Sequence, residues 1–189
     1  MSLHTDRRSI IGTAATVFFI LSLIIAVLPT FQAQKTKPSP GLNTKPDATV
    51  VRGRALYLKE GCGVCHTQFV RDLPIDAPYG RGSVAGDYAL EQPPLLGTQR
   101  TGPDLTNVGV RQPSEIWNLI HLYNPRAVVP TSVMPGYLWM FKETVIVSKD
   151  DIVVPVPPGF KPEGKAVVAT ESAIDLVRYL QSLKQAKLD

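Results

Sequence analysis

Cysteine is nearly absent from this chain: two occur in 189 residues, Cys62 and Cys65. Histidine is almost as scarce, with only His4, His66 and His121. A structural zinc site needs four nitrogen or sulfur ligands at suitable spacing, and the two histidines left over do not supply them. No βαβ pattern surrounds the cysteine pair, which excludes a thioredoxin-like redox centre. No internal repeat occurs, and no basic run carries interleaved aromatics. The formal charge of +4 is also less informative than it looks. Residues 1–46 hold five Lys/Arg against one acid, and residues 47–189 hold fifteen of each sign. A nucleic-acid binder concentrates positive charge on its folded domain, so nucleic acid is excluded as a partner.

What is present is concentrated. Both cysteines fall in Cys62-Gly63-Val64-Cys65-His66, and C-x-x-C-H is the attachment sequence of a c-type haem. Each thiol adds across one porphyrin vinyl group, and the histidine lies under the iron as proximal ligand. The motif occurs once, so one covalently bound haem c is expected. Ile10 to Leu28 is an uncharged apolar run of nineteen residues, enough to span a hydrocarbon core of about 30 Å. It exceeds the usual signal-peptide apolar region, and no A-x-A-like cleavage site follows. An uncleaved signal anchor in the lipid bilayer is expected, ended by Pro29. Arg7 and Arg8 before the run, with Lys35, Lys37 and Lys45 after it, leave orientation open by charge. Thioether formation needs reduced cysteines and maturation outside the cytoplasm. The expected location is therefore the bacterial inner membrane, single-pass, with the C-terminal domain in the periplasm.

The expected organisation is an anchor over 1–31, a semi-extended linker over 32–47 and a mono-haem domain over 48–189. Asp47 or Thr49 is a candidate cap for a helix with Val50, Val51, Ala55, Leu56 and Leu58 on its apolar face, stopped by Gly61. The Gly- and Pro-rich stretch 67–103 reads as an ordered loop on the haem edge. Pro113-Ser114 opens a helix with Ile116, Trp117, Leu119, Ile120 and Leu122 inward, and Asn124-Pro125 ends it. Within an insertion at about 142–169, Thr144 to Val147 and Ile152 to Val156 read as strands. They are expected to pair as a small β-hairpin around a four-residue turn at 148–151. Thr170 is expected to cap a last helix with Ile174, Leu176, Val177, Leu180 and Leu183 along one stripe. The fold class is mostly α.

The sixth iron ligand has four candidates. His4 lies across the membrane from the haem and is excluded. Met134 follows a helix in Val133-Met134-Pro135-Gly136-Tyr137, where a rigid turn can present its thioether. Met140, between Trp139 and Phe141, and His121, between Ile120 and Leu122, remain alternatives that read more naturally as packing residues. Met134 is the first choice, and His/Met ligation raises a reduction potential. The second ring nitrogen of His66 needs an acceptor, and the Pro103 carbonyl is expected to supply it. Arg100 and Arg126 are candidates for pairing with the haem propionates, because guanidinium forks match carboxylates.

Several of these segments, taken in order, resemble a known family. They are Gly61-Cys62-x-x-Cys65-His66-x-Gln68, Tyr79-Gly80, Arg100-Thr101-Gly102-Pro103-Asp104-Leu105, Val108-Gly109, His121-Leu122, Asn124-Pro125-Arg126, Val128-Val129-Pro130 and Met134-Pro135-x-Tyr137. The chain resembles the membrane-anchored mono-haem cytochrome c subunit (subunit II) of cbb-type, or C-family, haem–copper cytochrome c oxidases, over roughly residues 50–141. The resemblance implies a class I cytochrome c domain with long loops and His66/Met134 ligation. It implies a partner catalytic membrane subunit carrying haem b and a haem–copper centre. It also implies a further cytochrome c subunit or a soluble cytochrome c as electron donor. Residues 71–99 depart from the family's usual wording, and 142–169 do not align. The chain is also similar, less closely from Arg100 to Arg126, to the small cytochrome c subunit of nitric oxide reductases. A free membrane-tethered shuttle and a haem-based sensor are the other readings that the sequence leaves open.

Overall fold

The computed structural model describes residues 6–33, 35–42 and 45–185; His4 lies outside them. The chain divides into two units, Met1–Pro38 and Ser39–Asp189.

The first unit is one apolar helix, α1 (Arg7–Ala33), of 27 residues, within which an 18-residue window has a mean hydropathy of 2.6. It is long and apolar enough to cross a membrane, and none of its residues is buried within the protein. Asp6 caps it, accepting from the Arg8 N–H and the Ser9 hydroxyl, each at 3.0 Å. Contrary to expectation, Pro29 does not end the helix. A π-helical turn over Leu23–Val27 precedes it, and the Leu28 N–H donates to the Leu23 carbonyl. Widening the ladder by one residue accommodates a ring that has no N–H to give. The Thr30 hydroxyl then donates to the Ala26 carbonyl at 2.6 Å, as Thr16 does to Gly12 at 2.8 Å. In hydrocarbon, where no water can serve those carbonyls, such internal partners are needed.

The regular structure of the second unit is mainly helical, with a small sheet, and long loops join its elements. Helix α2 (Ala48–Lys59) is capped by Asp47, which accepts from the Thr49 N–H at 2.6 Å. Its inward face differs from the expected one. Gly53 and Tyr57 are buried, whereas Val51 and Leu58 are about half exposed. The reason is the crossing with the last helix, α6 (Glu171–Ser182). A Cβ on Gly53 would stand 2.7 Å from the Tyr179 Cβ and closer still to the Asp175 carbonyl oxygen. Only glycine lets the two backbones approach this far. Tyr57 meets Tyr179 edge-on at 5.4 Å. Arg52 forks onto buried Asp175, with Nε–Oδ2 at 2.6 Å and Nη2–Oδ1 at 3.0 Å. The expected stripe on α6 is therefore incomplete: Ala173, Asp175 and Tyr179 join Leu176 and Val177 in the interior. Thr170 sits at the cap position of α6, but its hydroxyl donates to the Met140 carbonyl at 2.7 Å instead of capping.

The short α3 (Cys62–Cys65) follows Gly61, whose φ of +70° turns the chain. Helix α4 (Val108–Arg111) packs on α6 through Gly109, which donates to the Leu183 carbonyl at 2.9 Å. Helix α5 (Glu115–Tyr123) starts at Ser114, whose hydroxyl accepts from the Trp117 N–H, and ends at Asn124. Leu119, Ile120 and Leu122 are buried as expected; Ile116 is not, being 54% exposed.

The insertion forms a sheet of three strands, β1 (Phe141–Thr144), β2 (Ile152–Val154) and β3 (Ala166–Ala169), in the order β1-β3-β2. The expected hairpin between the first two does not form. Both pair antiparallel with β3, placing Phe141 and Ile152 on either side of Ala169. The central strand is the buried one, with Val167 fully inaccessible, while Val145 and Ile146 are 77% and 82% exposed. Alternation alone could not reveal that the short Ala166–Ala169 run takes the middle. The linker likewise ends early. Ser39 is buried, and its N–H donates to the Gly86 carbonyl at 3.0 Å, so the chain is fastened to the domain well before residue 47.

Replacing Gly53 by alanine sets two effects against each other. Alanine normally gains about 1 kcal/mol in a helix interior. Overpacking costs about 1–3 kcal/mol, and here a backbone carbonyl must move. The expected outcome is a net loss of stability, read as a lower urea midpoint of the haem-loaded chain at unchanged slope.

Candidate haem site

The site is assembled from two segments far apart in sequence. In the first, α3 sets Cys62 and Cys65 one turn apart, and the His66 N–H closes that turn on the Cys62 carbonyl at 3.0 Å. Cys62 is half-buried against the core and Cys65 is exposed. Burial pushes the Cys62 thiol up to about 11, and the nearby Tyr137 hydroxyl opposes that shift.

The second segment supports the histidine. The His66 Nδ1 lies 2.8 Å from the Pro103 carbonyl oxygen, the contact expected from the sequence. With the proton on Nδ1 it donates there, which leaves Nε2 as the free lone pair. Gly102 lies flat beneath the ring. A Cβ on it would stand 2.7 Å from Nδ1 and 2.8 Å from Nε2, so no other residue fits. Backbone bonds flank the contact: the Gly102 N–H to the Cys65 carbonyl at 2.9 Å and the Leu105 N–H to the Thr67 carbonyl at 2.8 Å. The His66 pKa is lowered, chiefly by burial, with the Pro103 carbonyl and Asp104 opposing. The neutral imidazole is the form that can bind a metal.

A third group of residues braces the loop that separates these segments. Asp76 is fully buried. Arg71 forks onto it at 2.9 Å through both Nε and Nη2, and Arg100 binds it through Nη1. These guanidinium groups hold the Asp76 carboxyl far below the usual carboxylate range. Arg100 also reaches the Thr67 hydroxyl at 2.9 Å, the Phe69 carbonyl at 2.8 Å and Asp104 at 3.4 Å. Arg100 and Arg111 lie over the Tyr79 ring at 5.3 and 5.1 Å. The Arg100 fork is therefore turned into the protein. Arg126 is exposed, and its Nη1 donates to the carbonyls of Ser132 at 3.1 Å and Met134 at 3.4 Å.

Met134 is half-buried against the same apolar cluster that Cys62 joins. Its loop returns to α5 through the Tyr137 N–H, which donates to the Leu122 carbonyl at 2.8 Å. Gly136 passes too close to the Tyr123 carbonyl oxygen to carry a Cβ. Met140 is 1% exposed in the core, where its carbonyl accepts from Thr170. His121 stacks on Trp117 at 4.7 Å. Burial, with His66 nearby, pushes its pKa down to about 4. Its Nδ1 is buried without a hydrogen-bond partner among the described residues.

The donor set suits a flat iron porphyrin. Two thiols sit one turn apart, an imidazole is oriented through Nδ1, and a thioether packs on the cluster that the first thiol joins. The sequence points to the Cys62–His66 motif and the Pro103 carbonyl but not to the residues that support them. Asp76 and Thr67 look like ordinary loop residues. Gly102 was seen only as a neighbour of Pro103, although a glycine directly before the acceptor proline was its available signal.

Residues 4–154 match the protein family described as cytochrome c oxidase, mono-heme subunit/FixO. The match ends at the close of β2, short of β3 and α6. No curated protein matches the chain.

Two outcomes are expected. Gly102→Ala displaces the His66 ring from Pro103, so the ratio of haem to protein absorbance in purified material falls. Asp76 has a native pKa below its unfolded value, so its stabilising contribution is complete above about pH 4 and is lost as the pH falls from there. Denaturation midpoints at pH 5 and pH 3 should therefore differ less in Asp76→Asn than in the wild type.

Proposed function

Because the chain belongs to the family of cytochrome c oxidase mono-haem subunits, we propose that it carries one covalently attached haem c and relays electrons to the catalytic subunit of a terminal oxidase. The observation that carries this reading is the His66 ring, fixed by Pro103 above Gly102 one residue beyond the paired thiols. Cys62 and Cys65 would hold the porphyrin through two thioethers, and His66 Nε2 would bind its iron. Met134 would supply the second protein ligand, and a thioether in that role would favour the reduced iron and raise the potential. When bound, the haem would supply one-electron transfer, and the residues around it would set its potential.

With Arg100 held by Asp76 and Asp104, propionate pairing falls to Arg126. Helix α1 anchors the subunit in the bacterial inner membrane as a single pass. Thioether formation requires reduced thiols outside the cytoplasm, and this places the domain in the periplasm. Electrons arrive there from a soluble cytochrome c or a sister cytochrome subunit and leave for a haem–copper centre in the partner. Family membership favours oxygen over nitric oxide as the terminal acceptor.

Two measurements test this. The complex purified from native membranes in mild detergent should consume oxygen with a reduced cytochrome c donor; a preparation that reduces nitric oxide instead would refute the oxidase assignment. Met134→Ala should lower the potential, within the ~0.8 V span that axial ligands command. The same variant should bind carbon monoxide, which the wild type should not.

A further inference from the structure

Asp104 is fully inaccessible to solvent, and its bonding has a pattern. One carboxylate oxygen, Oδ2, accepts from the Thr67 hydroxyl at 2.6 Å and from the Phe69 N–H at 2.9 Å. The other accepts from the Thr106 N–H at 2.8 Å. Arg100 reaches Oδ2 at 3.4 Å, and Arg111 donates to the Asp104 carbonyl. Thr67 is the residue after His66, and Asp104 is the residue after Pro103. The carboxylate thus ties the chain just beyond the ring to the chain just beyond its acceptor. Its charge is also felt at the His66 ring.

We infer that Asp104 is a positioning residue for the axial histidine. By holding Thr67 and Phe69, it fixes the His66 Nδ1–Pro103 contact and, through that bond, the electron donation of the imidazole to the iron. This inference rests on the reading of His66 as an iron ligand. A hydrogen bond from the outer ring nitrogen raises the basicity of a ligating imidazole. A more basic ligand favours oxidised iron and lowers the potential. Loosening the tie should weaken the bond and raise the potential. A carboxylate with no such part would serve only to brace the loop.

Asp104→Asn removes a charge, which by itself raises the potential, and it turns an amide toward two donors. Thr67→Val is therefore the discriminating variant. It keeps the net charge and the side-chain shape, and it deletes only the hydroxyl shared between Asp104 and Arg100. Both variants are prepared as the full haem-loaded chain in detergent. The readouts are the reduction potential and the proton resonance of His66 Nδ1 in the reduced, diamagnetic protein. Thr67→Val is expected to raise the potential and move that resonance upfield. Solvent exchange of the Nδ1 proton should quicken roughly two- to tenfold, the range that one net hydrogen bond covers. Asp104→Asn should go further in the same direction. The proposal is overturned if Thr67→Val lowers the denaturation midpoint yet leaves potential, resonance and exchange at their wild-type values. It is overturned equally if the wild-type His66 ring shows no shift from iron ligation, an outcome that refutes the ligand reading without reference to any variant. Should Asp104→Asn fail to take up haem, Thr67→Val alone decides.

Discussion

The arrangement depends on one hydrogen bond, 2.8 Å long, between an imidazole nitrogen and a carbonyl oxygen separated by 37 positions in sequence. An imidazole alone can turn about its side-chain bonds and offer either nitrogen. Fastening one nitrogen leaves the other as the free lone pair and fixes the plane of the ring. The acceptor must therefore be a rigid carbonyl, and a proline restricts the backbone that carries it. The residue before it must lack a Cβ, because the ring occupies that space. Bringing the two ends together closes a long loop, at an entropic cost that other interactions have to offset.

Those interactions divide by kind. The helices are joined by apolar burial and by close backbone approach at Gly53 and Gly109. The loop has little apolar burial, and its close backbone approach is confined to Gly97, where a Cβ would stand 2.5 Å from the His66 carbonyl oxygen. From 67 to 103 only Gln68, Val70, Asp76 and Leu95 are buried. Its conformation rests instead on carboxylates that each collect several donors. Buried ion pairs add little net stability once desolvation is counted, but they tolerate few alternative geometries. The division suits the two tasks: packing keeps the domain folded, and the polar network settles where the ring and its acceptor meet.

The sequence disclosed local contacts more readily than the architecture. The thiols, the histidine, its carbonyl partner and the anchor were legible because each depends on local spacing or on an unbroken run. Helix boundaries at Asp47, Ser114 and Asn124 were legible for the same reason. The inner face of α2 was not, since the largest apolar residues point outward where a glycine is needed at the crossing. The sheet was misread because pairing partners are set by tertiary burial, and β3 is too short to declare itself. Pro29 misled because a proline's usual effect on a helix was undone by a π turn five residues long. The roles of Asp76 and Asp104 depend on residues brought together from four separate stretches, which no local pattern encodes.

The order of the sheet also governs how the chain must fold. Its middle strand is the last of the three to be made. Neither outer strand has a partner until Ala166–Ala169 arrives, and α6 follows directly, beginning at Glu171. A chain emerging from the N-terminus would thus hold its insertion unpaired until nearly complete, then close the sheet and dock α6 on α2 in a single late event. The stretch from Ala166 onward thereby acts as a lock on material already synthesised, and truncation within it would leave the first two strands with exposed edges open to pairing between molecules.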